Sequence, residues 1–192
     1  MKKFRNFVLA LAAIALMSLS LTACHDGDDY TNSITVNGKK LSVTKVERIT
    51  ETYTDLQGNQ GSLEVFRIFD GDLTIAYIYV PTQYLNKELN LTKNWCIDGD
   101  VPTLIALLDP ENLSSGYEFI AGDNKEILNN FKSGKMKITV KNDNVNISAK
   151  GVGLEIPPSK ISSSEMPDMS DWNKIPFNVS YSGQYLVPDL EK

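Results

Sequence analysis

Lys135-Met136-Lys137-Ile138-Thr139-Val140-Lys141, then Asn142-Asp143-Asn144, then Val145-Asn146-Ile147-Ser148-Ala149-Lys150: the reading of this stretch decides the fold. Met136, Ile138 and Val140 alternate with polar neighbours, and Val145, Ile147 and Ala149 do the same after the interruption. A side-chain period of two belongs to a strand with one buried face. Asn and Asp between two such runs supply a tight turn, so the pair reads as an antiparallel hairpin. Lys135, Lys137, Lys141 and Lys150 fall on its polar face. A polyanion-binding stripe is one use of such a row. In a net-acidic domain the favoured use is a solvated face that keeps the sheet from pairing with other chains.

The same period recurs on either side. Leu63–Phe69 meets Leu73–Val80 across Asp70-Gly71-Asp72, a second hairpin. Leu73–Val80 is apolar on both faces, with Ile75, Tyr77 and Tyr79 on one and Ala76, Ile78 and Val80 on the other, so it is expected at the centre of a sheet or covered on both sides. Ile34–Val36 and Lys40–Val43 flank Asn37-Gly38, a strong hairpin signal. Val46–Thr54 and Phe177–Tyr181 alternate as well, and Thr103–Leu108 is a short apolar run between prolines. One helix of two turns is expected after Asp123-Asn124-Lys125-Glu126, which has capping-box spacing ahead of Ile127, Leu128 and Phe131. Pro157–Asn173 reads as a long surface loop. The expectation is an all-β domain over 33–192, an antiparallel β-sandwich or a lipocalin-like barrel of about eight to ten strands with at most one short helix. Periodicity does not choose between sandwich and barrel.

The N-terminus has a different character. Lys2, Lys3 and Arg5 precede an apolar run of 11 residues from Phe7 to Met17, and small residues follow. That order is a secretory signal peptide over 1–23; a membrane-spanning helix needs about 20 apolar residues. Leu21-Thr22-Ala23-Cys24 resembles the bacterial lipobox. The resemblance implies cleavage before Cys24 and lipidation of its thiol. The acidic residues Asp26, Asp28 and Asp29 of a tether over 24–32 resemble the export signal of surface lipoproteins of the Bacteroidetes type, which implies an outer-membrane location facing the exterior, with the periplasmic face as alternative. The resemblance covers about the first thirty residues.

Charge and composition exclude several chemistries. The 192 residues hold 19 Lys+Arg against 24 Asp+Glu, a net of −5, which becomes −8 once the first 23 residues are removed. Nucleic acid is disfavoured as a partner, because its phosphates call for a positive footprint. The single histidine is His25, so a folded body starting at 33 has no histidine for a Ser-His-Asp triad, a Cys-His pair or a histidine zinc site. With Cys24 lipidated, Cys96 is a lone thiol between apolar neighbours and reads as a buried small hydrophobe. No catalytic residue, metal ligand or cofactor is assigned. Asp70-Gly71-Asp72 and Asp98-Gly99-Asp100 offer two oxygens each toward calcium, but these residues are foremost turn formers. Nothing selects a glycosidase pair among Glu51, Glu64, Asp98 and Glu118.

Aromatic residues are the more informative set. Tyr84 stands beside Gln83, Asn86 and Asn90 where the strand pattern breaks, and Trp95 follows. Sugar rings stack on such faces while amides bond their hydroxyls, and loops carry recognition on rigid sheets. Tyr84 and Trp95 are therefore the expected contact residues, with Trp172 on the long loop as a second patch. The expectation is a lipid-anchored, non-catalytic binding module for a glycan, a small ligand or an envelope partner. A subunit of a surface appendage is the alternative, and a small glycan hydrolase stands third.

Overall fold

The computed structural model describes residues 32–54, 58, 60–93, 103–121, 129–155, 170 and 172–188. Eleven strands form within them: β1 (Ser33–Val36), β2 (Lys39–Ser42), β3 (Lys45–Thr54), β4 (Gln60–Asp70), β5 (Leu73–Pro81), β6 (Glu88–Asn90), β7 (Thr103–Asp109), β8 (Asn112–Ala121), β9 (Phe131–Lys141), β10 (Asn144–Leu154) and β11 (Lys174–Gln184). They make two antiparallel sheets, one of six strands in the order β2-β1-β11-β10-β9-β6 and one of five in the order β3-β4-β5-β7-β8. The sheets do not close on themselves, so the architecture is a sandwich and the barrel alternative falls away.

The hairpins legible in the sequence are present. Val140 pairs with Val145, Ile138 with Ile147 and Met136 with Ala149, which puts both alternating sets on one face. Asn37 and Gly38 take φ of 49° and 81°, the positive pair that a two-residue turn between twisted strands requires. β5 is the middle strand of the five-stranded sheet, as its two apolar faces demand.

The eleven strands agree with the about eight to ten expected, the surplus lying in β6 and β8, whose signals are weak. β6 has three residues, and the first half of β8 is exposed Asn112–Gly116 without an apolar face. One expectation, the helix, needs correction. Among the described residues the only helical turn is a 3-10 turn at Thr82–Tyr84. Most of the helix expected at Asp123–Phe131 lies outside the described residues, but Phe131 opens β9 and Asn130 before it is not helical.

The core lies between the two inner faces. Ile34, Val36, Met136, Ile138, Ile147 and Val179 come from the six-stranded sheet, and Val46, Phe66, Ile68, Ile78, Ile105 and Leu107 from the other, all at most 2% exposed. Phe119 of β8 reaches across to Phe177 and Phe131, with ring centroids 5.4 and 5.7 Å away. It lies so close on β10 that a Cβ on Gly153 would fall 2.1 Å from its ring.

Both seams of the sandwich are tied by polar contacts. At one, the fully buried Asn130 accepts from the Ile120 N–H at 2.6 Å and donates to the carbonyls of Glu118 and Leu154 at 2.9 and 2.8 Å, joining β8 to β10. At the other, the chain leaves β11 and crosses to β3. There the Leu186 N–H donates to the Val46 carbonyl and the Arg48 N–H to the Leu186 carbonyl, covering part of an edge strand.

Candidate functional site

The outer face of the six-stranded sheet is polar in continuous rows. Directly paired residues share a face, so the register reads the rows off. One row runs Asn90, Lys135, Lys150, Asn178, Thr35, Lys40 across all six strands. The next runs Glu88, Lys137, Ser148, Ser180, Ser33, Ser42, and a third holds Thr139, Asn146 and Ser182. Six strands at a spacing of about 4.8 Å make the first row about 24 Å long. These rows carry lysines, amides and hydroxyls, with Glu88 as their one acid.

A groove of about 660 Å³ opens on this face, bordered by Asn90, Lys132, Lys135, Lys150 and Asn178; Phe177 reaches it from a core position. Its shape follows from the sequence at the start of the hairpin. Gly134 pairs with Gly151, and the register shifts between Val152 and Gly153. The strands approach so closely that a Cβ on Gly151 would lie 2.3 Å from the Ser133 carbonyl oxygen. The glycine pair belongs to the inward row of Phe177 and Val36, and the groove's lining adds Thr92, Ser133 and Val152 to the lysines and amides.

The rim holds like charges together. Lys135 stands opposite Lys150, an arrangement that destabilises a bare sheet. Lys174 lies close enough to the Lys132 ammonium to hold its pKa below the usual lysine value. The Lys135 Nζ bonds Glu88 at 2.8 Å, and Lys135 depresses the Glu88 carboxyl in return. Lys137, opposite Glu88, helps to lower that carboxyl without a salt bridge to it, and Lys150 forms no salt bridge among the described residues.

The acidic residues gather elsewhere. Glu47, Glu51 and Glu118 project from the outer face of the five-stranded sheet, where Glu47 pairs with Arg67 and Lys45. Burial there raises the Glu118 carboxyl and, together with Tyr77, the Tyr79 phenol. Inside the sandwich, Glu64 is 1% exposed and accepts from Arg48 Nε at 2.8 Å and from Thr50 and Thr82 at 3.0 and 3.2 Å. Arg48 continues to the Tyr185 hydroxyl at 3.1 Å. This saturated network fastens the C-terminal crossing to β3, beside a cavity of about 310 Å³.

The aromatic expectations fare unevenly. Tyr84 is half-buried against the core, with the Lys87 ammonium 5.9 Å from its ring centre. The amides beside it serve the fold: Asn86 Oδ1 accepts from the Val140 N–H, and Asn90 Oδ1 from Thr92. Trp172 is 5% exposed, so its ring belongs to the interior and not to the surface patch expected of it. Trp95, Cys96, the lipidation residue Cys24 and Asp98-Gly99-Asp100 lie outside the described residues. Asp70-Gly71-Asp72 is a hairpin turn in which the Gly71 N–H bonds the Thr44 hydroxyl. Among the described residues no three His, Cys, Asp or Glu side chains converge on a metal position.

Lysine stripe residues Lys135 and Lys150 were visible in the alternation, whereas Lys40 and Lys174 join them through pairing and Lys132 through its place on the groove. The fold and face together define an antiparallel β-sandwich with a segregated basic, amide-rich face. The chain matches no protein family, no curated protein and no solved structure.

Proposed function

We propose that this protein is a lipid-anchored, exported outer-membrane lipoprotein whose sandwich acts as a non-catalytic binding module for a glycan. The anchor rests on the sequence, from Lys2 through Cys24. The single observation that supports a glycan is the 24 Å row of amides, hydroxyls and lysines on one continuous sheet face. Sugars offer donors and acceptors along an extended chain, and such rows answer both. The reading moves the contact surface from Tyr84 and Trp172 to the outer face of β9, β10 and β11.

The test has two arms on the full-length protein. Mass spectrometry of the membrane fraction is expected to show a chain beginning at a diacylated Cys24, and Cys24→Ala is expected to release the protein from the membrane. Electrophoresis through gels containing single polysaccharides is expected to show retardation by at least one of them. A mature chain beginning elsewhere with an unmodified Cys24 contradicts the anchor. Free migration through every polysaccharide contradicts the binding role.

A further inference from the structure

We infer that the groove and rows on the outer face of the six-stranded sheet take a polysaccharide bearing carboxylate or sulfate groups. The inference rests on the reading of the domain as a glycan-binding module and names the class of glycan. Lys132, Lys135, Lys137, Lys150 and Lys174 gather at one end of a face on which, among the described residues of the three rows, Glu88 is the one acid. Opposed lysines repel, and a bound anion relieves that repulsion while meeting the ammonium donors. The net negative charge of the whole chain does not oppose this. Glu47, Glu51 and Glu118 project from the outer face of the other sheet, so the whole core stands between them and the groove.

The chemistry of the face selects among anions. Nucleic acid bound as a single strand needs aromatic platforms; the rows contain none, and Phe177 at the groove is buried and offers no open ring face. A membrane surface needs apolar side chains to insert beside its basic ones, and the rows are polar throughout. Protein interfaces are depleted of lysine and enriched in aromatic residues, the reverse of this composition. An acidic polysaccharide asks for cations at intervals with amides and hydroxyls between them. Lys135 and Lys150 flanked by Asn178, with Ser148 and Ser180 in the next row, supply that sequence of groups.

The experiment uses the full-length protein in detergent and four gel additives: polygalacturonate, chondroitin sulfate, neutral dextran and single-stranded DNA. Lys135→Gln/Lys150→Gln is compared with Lys39→Gln, an exposed position away from the groove. The expected result is retardation by polygalacturonate or chondroitin sulfate, weaker in higher salt, and reduced about tenfold by the double variant alone. Thermal unfolding checks that both variants stay folded, and Lys132→Gln/Lys174→Gln gives an independent second pair. Retardation by dextran that ignores the lysine variants overturns the acidic assignment and leaves the glycan-binding reading standing. Equal retardation by DNA overturns the glycan as the ligand. Free migration in every gel overturns both readings.

Discussion

Asn130 shows what one polar residue does inside this sandwich. It is fully buried, and its side chain fills three hydrogen bonds that join edge strand β8 to β10. Asn130→Ala removes all three and leaves an N–H and two carbonyls without partners, each a desolvated group. The expected cost is about 2–4 kcal/mol, read as a lowered midpoint in urea unfolding with little change in slope. A midpoint unchanged from the parent chain would mean that water replaces the side chain. Nothing in the sequence singles Asn130 out, because its role depends on two strands that meet only through the fold. Its neighbours looked helical for a related reason: capping-box spacing is local, while the start of β9 is set by pairing with β10. Trp172 illustrates the opposite error, since polar, proline-rich surroundings suggested a surface loop while the ring itself is buried.

At the scale of elements, alternation and turn chemistry carried most of the information. Both signals are local, and they placed the hairpins β9–β10, β4–β5 and β1–β2, the first with its inward face. Pairings between distant segments, such as β1 on β11 and β6 on β9, have no local signature. The polar rows were therefore hidden beyond the first hairpin. β10 also contains the tightest steric constraint, where Gly153 lies under Phe119. Gly153→Ala puts a methyl group into the ring that bridges the two sheets, so Phe119 must leave its place against Phe131 and Phe177. We expect a loss of about 3 kcal/mol, at the upper end for overpacking, because the blocked atoms sit in a closed aromatic cluster. Phe119→Leu in the same background should recover part of it. Additive losses from the two substitutions would show that they act on separate contacts.

For the whole molecule, the main consequence of the fold is segregation of charge. Two sheets place the lysines of β9, β10 and β11 on one outer face and Glu47, Glu51 and Glu118 on the other. Net charge, the quantity most easily read from the sequence, averages over this division and argued for a merely solvated stripe. The measurement that tests the account most directly is lysine acetylation of the full-length protein with and without bound polygalacturonate, followed by peptide mass spectrometry. The account predicts slowed modification at Lys132, Lys135, Lys137, Lys150 and Lys174, with Lys39 and Lys45 unchanged. Protection confined to Lys45, or none at all under conditions where the polysaccharide is bound, would contradict it.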